Sequence, residues 1–384
     1  MLPMEDESKQ RPQRSKALLA LALVAALIAA GGLATITASR SKPLGMASTQ
    51  VAVDLSPQSV GALWQGRDDT KLKFEATTPP VVSIHALAQP AFHKAQVMNQ
   101  RCSKRRTDPG SEPDFLLIGV QKGGSTGLYN YLAKHGDVRS ASCKEIHFFD
   151  INSNYEKGKT FYLRHFPSIS EELRGQVITG EASPSYLRFP IVPLRVKNMF
   201  TKPLKFIVIL REPVMRFKSH WVGRRVVMMD IGKSSCEDIW EQSVKEIEQC
   251  LERESLEVCH KKLHENPAMR GIYKPQLEVW RQHFDRDQFF VLQSDAMFKN
   301  LNATMQSVVE FLRIRPYTEA ELASFTTAYT GSAHHSDPLI NECGHLTEAM
   351  KAFYDRFTGG LREFLVREFP NTLLQPSAPT NWLR

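Results

Sequence analysis

The sequence predicts an α/β domain, a central parallel sheet flanked by helices, behind a single N-terminal transmembrane helix. Three stretches of the 384-residue chain carry that expectation. Residues 114–132, DFLLIGVQKGGSTGLYNYL, pass from a short apolar run through a glycine-containing loop to Leu128, Tyr129 and Leu132 at helical spacing. Residues 205–221, KFIVILREPVMRFKSHW, repeat the plan, with Pro213 suited to a first helical turn, where a missing amide proton costs nothing. Residues 17–39 are an uncharged run of Ala, Leu, Val, Ile, Gly, Thr and Ser, long enough to cross the hydrocarbon core as a helix.

In chain order, Lys9, Arg11, Arg14 and Lys16 precede the apolar run, so the positive-inside rule makes 1–16 a cytoplasmic tail and 17–39 a signal anchor. A cleaved signal peptide is the competing reading, but the run exceeds a usual h-region. Residues 40–110 mix Ala, Pro, Gln, Ser and Thr without a period and read as a stem, whose basic run Arg101, Lys104, Arg105 and Arg106 reads as a solvated edge. The lumenal domain then occupies 111–384. Its expected elements are strand 115–120, helix 125–135, strand 177–179, helix 192–200, strand 205–210 and helix 213–222. Helices 237–251 and 275–284, a closing strand 288–292, helix 305–312 and one long helix through Met350, Phe353, Tyr354, Phe357 and Leu361 complete it. Six cysteines face an oxidising compartment, and Cys250 with Cys259 is the expected local bridge because they flank a short charged segment. Asn302 begins the Asn302-Ala303-Thr304 glycosylation sequon.

Net charge is +8, which suits a polyanionic partner such as nucleic acid, anionic membrane or sulfated polysaccharide and does not choose among them. The strand-to-helix loops narrow the field. The first amides of a helix lack intrahelical partners and lie at the positive end of its dipole, so residues 121–126 form an anion site. Gly123 and Gly124 let the backbone approach a phosphate, Ser125 and Thr126 offer hydroxyls, and Lys122 brings a charge. A nucleotide-triphosphate loop, GxxxxGK[ST], would place lysine where this chain has Ser125, which opposes a kinase. In the second unit Arg211 ends a strand and Ser219 follows about two helical turns on, a pairing able to meet one phosphate. Read alone, Arg211 is more simply a helix-capping or salt-bridging residue, and it is the first loop, in the right order, that favours a phosphate contact. No His/Cys cluster has zinc spacing, so no metal is expected.

Both motifs resemble those of sulfotransferases, which bind 3′-phosphoadenosine 5′-phosphosulfate (PAPS). The resemblance covers roughly residues 114–365 and implies a P-loop-like sulfotransferase fold, with Lys122, Gly123, Gly124, Ser125 and Thr126 on the 5′-phosphosulfate and Arg211 and Ser219 on the 3′-phosphate. Between the motifs, residues 144–150, KEIHFFD, look like the catalytic strip of Golgi glycosaminoglycan sulfotransferases. Carried over by position, Glu145 is the general base, His147 orients the acceptor hydroxyl, Asp150 assists and Lys122 neutralises the leaving phosphate. Taken singly, His147 would read as a core histidine among Ile146, Phe148 and Phe149, and Glu145 as a surface carboxylate paired with Lys144. Their place between two nucleotide motifs favours chemistry.

The family's heparan sulfate 3-O-sulfotransferases carry a lysine in a Glu-Lys-Thr-Pro segment, where this chain has Ala182 in residues 180–185, GEASPS. That segment is similar to the chondroitin-directed N-acetylgalactosamine-4-sulfate 6-O-sulfotransferase, as are residues 270–280 and 285–295. The resemblance therefore implies a Golgi type II membrane enzyme with a sulfated polysaccharide partner, membrane contact through its anchor, no nucleic acid, and chondroitin-type 6-O-sulfation. The alternatives are a heparan sulfate O- or N-sulfotransferase, or a sulfotransferase-like domain that only binds glycans. Arg188, Arg224, Arg225 and Lys274 are candidate acceptor contacts, although a solvated face explains each. His334 and His335 fall in a stretch that in such enzymes folds over the nucleotide.

Overall fold

The computed structural model describes residues 105–227, 235–325, 342–374 and 382–383, with backbone alone for 35–38, 72–75 and 224–227. Thr35–Ala38 pairs antiparallel with Leu72–Glu75. The expected 17–39 membrane helix is thus described only at 35–38, which is extended. The remainder of the tail, anchor and stem up to residue 104 lies outside the described residues, as do His334 and His335. Among the described residues no helix is long and apolar enough to cross a membrane.

Six strands build the domain's sheet: β1 Phe115–Gly119, β2 Val138–Ser140, β3 Ile178–Ala182, β4 Lys205–Leu210, β5 Phe289–Gln293 and β6 Asn371–Leu373. Their order is β2-β3-β1-β4-β5-β6, and every ladder is parallel. Strands β1, β3 and β5 are buried at every residue; for β1 and β5 this follows from apolar runs in a parallel sheet covered on both faces, whereas β3 buries Thr179 and Glu181 as well. Alternate residues of β1 serve opposite faces. Leu116 and Ile118 join a core with Phe148, Phe149, Tyr186 and Trp280, while Phe115 and Leu117 pack with Leu128, Ile207 and Val308.

Numbering helices of eight residues or more, α1 is Ser125–Leu132, α2 Val192–Met199, α3 Pro213–Val227, α4 Cys236–Leu251, α5 Leu256–Leu263, α6 Tyr273–Arg281, α7 Leu301–Leu312, α8 Thr347–Thr358 and α9 Leu361–Glu368. A third core joins Phe217 and Trp221 of α3 to Trp240 of α4 and to Met350 and Phe353 of α8. Two disulfides fasten it, Cys236–Cys343 and the expected Cys250–Cys259, which ties α4 to α5. Cys143 is also disulfide-bonded.

Four expectations need correction. The single C-terminal helix is two, because Gly359 and Gly360 interrupt it and Gly360 takes φ 70°, a conformation that favours glycine. Strand 288–292 does not close the sheet, since β6 lies outside it. Strands β2 and β6 are three-residue edges without an apolar run, so no period announces them. The strand expected at 177–179 continues to Ala182, which carries Glu181 into the sheet.

Strands β1 and β4 are parallel neighbours, with Phe115 opposite Lys205 and Leu117 opposite Ile207. The loops that follow them therefore emerge at the same edge of the sheet.

Candidate active site

The loop after β1 is shaped for close backbone approach. A Cβ on Gly123 would sit 2.7 Å from the Ile209 carbonyl oxygen, and Gly124 takes φ 107° as it caps α1. Lys122, although not a glycine, takes φ 73°, the sort of backbone outlier that functional loops retain. Helix α1 has no side-chain cap and no acid in its first turn, so its own first turn leaves the positive end open to an anion. Ser125 is buried at that end and Thr126 is exposed beside it.

Arg211 joins the two loops. It is buried, and its Nη1 donates to the Lys122 carbonyl oxygen at 3.0 Å. Its Nη2 is buried without a partner among the described residues, a donor held ready for an anion. Tyr273 on α6 fixes the arginine's backbone, its hydroxyl donating to the Arg211 carbonyl at 2.6 Å. Ser219 is buried within α3. One turn further along α3, Gly223 gives the Lys122 side chain its room, for a Cβ there would lie 2.5 Å from Nζ. Burial lowers the Lys122 pKa, nearby Glu145 pulls it back up, and Arg211 lowers it again.

The strip 145–150 is pinned across the end of β3. Glu145 N–H donates to the Ala182 carbonyl at 2.9 Å, His147 N–H to Ser183 Oγ at 3.2 Å and Phe148 N–H to the Tyr186 hydroxyl at 3.0 Å. Glu145 and His147 take φ 65° and 53°. His147 Nε2 lies 3.2 Å from Glu145 Oε2, and Nδ1 lies 2.7 Å from Asp150 Oδ2. Lys144 Nζ donates to Glu145 Oε1 at 2.7 Å, and Ser185 Oγ to Asp150 Oδ2 at 2.5 Å.

Charge states follow from this bonding. Burial would raise the Glu145 pKa, but the His147 hydrogen bond and Lys144 outweigh it and hold the carboxyl at about 2. Burial would lower His147, yet Asp150 and Glu145 raise it to about 9. Asp150 is likewise held below its ordinary value, chiefly by His147 against the cost of burial. At neutral pH the strip is an imidazolium between two carboxylates. The Glu145 side chain keeps 37% of its surface exposed, so its carboxylate is open to solvent.

Glu181 carries no role in the sequence reading, but in the fold it underlies the strip. Fully buried, it accepts from Ser183 Oγ at 2.7 Å and from the Tyr186 and Tyr162 hydroxyls at 2.8 and 3.2 Å. Burial raises its pKa to about 7 against these hydrogen bonds. Ser183 and Tyr186 are the same hydroxyls that hold His147 and Phe148. A carboxylate in a buried strand, followed by serines and a tyrosine, was the available signal. Arg188 is not on a solvated face: it is buried and paired with Glu265 at 2.7 Å. Lys274 is exposed, as a solvated face would have it, and lies over the Phe364 ring, 5.6 Å from its centroid. The side chains of Arg224 and Arg225 lie outside the described residues.

A family described as the sulfotransferase domain matches residues 112–351, more than half the chain. The chain belongs to that family. This sulfotransferase-family chain is 30% identical over 208 residues to the human heparan sulfate glucosamine 3-O-sulfotransferase 5, a match covering 53% of this chain and 54% of that protein. It is 40% identical over 118 residues to the membrane-associated sulfotransferase kil1 of Dictyostelium discoideum, covering 29% and 24%. The chain thus spans about half the length of the first relatives it matches, or less. A sulfotransferase from Alicyclobacillus acidocaldarius is 20% identical in a structural match covering 68% of this chain and 98% of that one, with a TM-score of 0.48. Residues 180–185 pointed to a chondroitin-directed enzyme; the sequence relatives that match over half the chain support the heparan sulfate alternative better.

The residues present fit PAPS. Helix α1 presents an uncapped N-terminus without a first-turn acid, and Arg211 Nη2 is a buried donor without a partner among the described residues. Among the described residues no His, Cys, Asp and Glu grouping could hold a metal ion.

Proposed function

We propose that this chain transfers the sulfuryl group of PAPS to a glycosaminoglycan hydroxyl, with heparan sulfate as the acceptor, from a Golgi lumenal domain behind the N-terminal anchor. The observation that carries it is the convergence of an ionised, partly exposed Glu145 and a half-buried Lys122 near enough for the carboxylate to raise the lysine's pKa against burial, at the head of α1. PAPS supplies an electrophilic sulfur with a nucleotide phosphate as leaving group. Lys122, the backbone of 123–124, Ser125 and Thr126 hold its 5′ end, and Arg211 and Ser219 hold its 3′-phosphate. Glu145 takes the acceptor's proton as its oxygen bonds to sulfur and the sulfur–phosphate oxygen bond breaks. Lys122 meets the charge left on that phosphate. His147, held as imidazolium by Asp150, orients Glu145 and the hydroxyl.

The heparan acceptor rests on the relatives, and a second reading rests on Ala182. It is fully buried in β3 and cannot hold a sulfate or carboxylate where the heparan sulfate 3-O-sulfotransferases carry lysine. That favours chondroitin N-acetylgalactosamine 6-O-sulfation. Labelled PAPS offered with heparan sulfate, chondroitin and dermatan sulfate, followed by disaccharide analysis, separates the two. Label in heparan disaccharides is expected; label confined to chondroitin 6-O positions installs the second reading. No transfer to any glycan by a protein that still binds adenosine 3′,5′-bisphosphate would leave a glycan-binding domain only.

A further inference from the structure

The basic run at 101–106 has no part in the chemistry above, yet its described end is built into the domain. Arg106 N–H donates to the Arg164 carbonyl at 3.0 Å, and the Arg105 guanidinium lies over the Phe161 ring, 4.6 Å from its centroid. Lys157 Nζ lies 4.6 Å from the same centroid. Two cations therefore share one aromatic ring, which attracts each of them but does not cancel their mutual repulsion. Among the described residues, no carboxylate comes within ion-pair distance of Arg105, Arg106, Lys157 or Arg164. The neighbouring Lys159 differs, because it pairs with Glu112. Burial and the nearby Arg105 both lower the Lys157 pKa.

This patch lies beside the active site. Lys157 Nζ donates to Asn154 Oδ1 at 2.8 Å, and Asn154 Nδ2 donates to the His147 carbonyl at 3.0 Å. On its other side, His165 sits against Phe161, 5.6 Å between ring centroids, and its carbonyl accepts from Ser142 N–H at 2.7 Å, three residues before Glu145. The uncompensated cations thus flank the strip that carries the base.

We propose that Arg105 and Lys157, seated on Phe161, form an extended acceptor subsite that grips sulfate or carboxylate groups of a polyanionic polysaccharide one or more sugars away from the reacting hydroxyl. The proposal rests on the glycosaminoglycan reading and adds a chain-length dependence to it. An anion that contacts either cation relieves their repulsion, and each contact releases counterions from the polysaccharide, so binding there is salt-sensitive.

The test compares the full chain with R105Q/K157Q. Immobilised heparin in a salt gradient reads binding, and labelled PAPS with long heparan sulfate chains or a short oligosaccharide reads turnover. The double variant should elute at lower salt, and its slope of log affinity against log salt should fall by about one to two. KM for long chains should rise about tenfold, while kcat and the short-acceptor KM stay within twofold. K261Q/K262Q removes two lysines that already pair with Glu257 and Glu254, and should change none of these values. Equal losses in both variants would reduce the effect to net charge and overturn the subsite, as would a long-chain KM and salt slope unchanged in R105Q/K157Q. If the parent sulfates no glycosaminoglycan but R105Q/K157Q still loses heparin, the polyanion site stands and the acceptor reading falls. F161L keeps both charges and removes the shared ring; an intermediate elution is expected, and wild-type elution with wild-type long-chain KM would remove the ring from the site.

Discussion

His147 Nδ1 lies 2.7 Å from Asp150 Oδ2 while its Nε2 faces Glu145 Oε2 at 3.2 Å, so one buried ring bridges two carboxylates. Because the folded-state pKa of His147 is raised to about 9, its contribution to stability is full below its ordinary value near 6.5 and is lost as pH rises through 9. Parent and His147→Gln proteins should therefore differ most in Tm between pH 5 and 6.5, and the gap should close toward pH 9. A gap constant across that window would mean that the ring is neutral.

The sheet's central strands and both strand-to-helix loops were legible because they are written in local sequence: continuous apolar runs, glycines and a proline at a helix start. Lys122 and Arg211 were singled out from those loops, and Glu145 and His147 from the resemblance of residues 144–150 to a catalytic strip. Glu181 was not, because its burial beneath the strip depends on hydroxyls from three other positions that only the folded β3 end brings together. The two-residue break between α8 and α9 was overridden in the reading by a sustained apolar period on both sides. The edge strands β2 and β6 carry no period at all. Their pairing is dictated by the sheet.

Lys122 can be displaced without being mutated. Gly223→Ala puts a methyl 2.5 Å from the present position of Nζ, and the lysine, being the flexible partner, must swing away. In a helix interior alanine is favoured over glycine by about 1 kcal/mol, so Tm should hold or rise. Turnover should fall about a hundredfold, approaching Lys122→Ala, if the ammonium stabilises the leaving phosphate. Turnover of either variant within a few fold of the parent would contradict that role.

Arg211→Ala should act on the nucleotide more than on the chemistry. It removes the unpartnered Nη2 donor and the 3.0 Å bond to the Lys122 carbonyl. A charge-assisted hydrogen bond contributes about 1.5–3 kcal/mol, so affinity for adenosine 3′,5′-bisphosphate should drop roughly ten- to a hundredfold by calorimetry. Unchanged affinity would remove Arg211 from the site.

Glu145→Gln should separate binding from catalysis. Glutamine retains the shape but has no carboxylate to accept a proton, so transfer should fall by at least about a hundredfold. Nucleotide affinity should stay within threefold, since no nucleotide-holding role falls to this side chain. Substantial residual transfer would assign the proton to another group.

Glu181 offers the sharpest separation of positioning from contact. It lies beneath the strip, and its link to His147 and Phe148 runs through Ser183 and Tyr186. Tyr186→Phe deletes both the donor to Glu181 and the acceptor for Phe148 N–H, leaving a buried amide unpaired at a cost of about 1–3 kcal/mol. Tm should fall by several degrees. A generally loosened fold would weaken acceptor, nucleotide and turnover together. If the relay instead sets the angle of Glu145 and His147, kcat should drop about tenfold or more with both affinities kept, because a small misplacement of the base is felt in the transition state. Glu181→Gln retains one acceptor oxygen for the tyrosines and replaces the other with a donor facing Ser183. It should show the same kcat-selective loss, and equal losses in KM and kcat would reduce the cluster to packing.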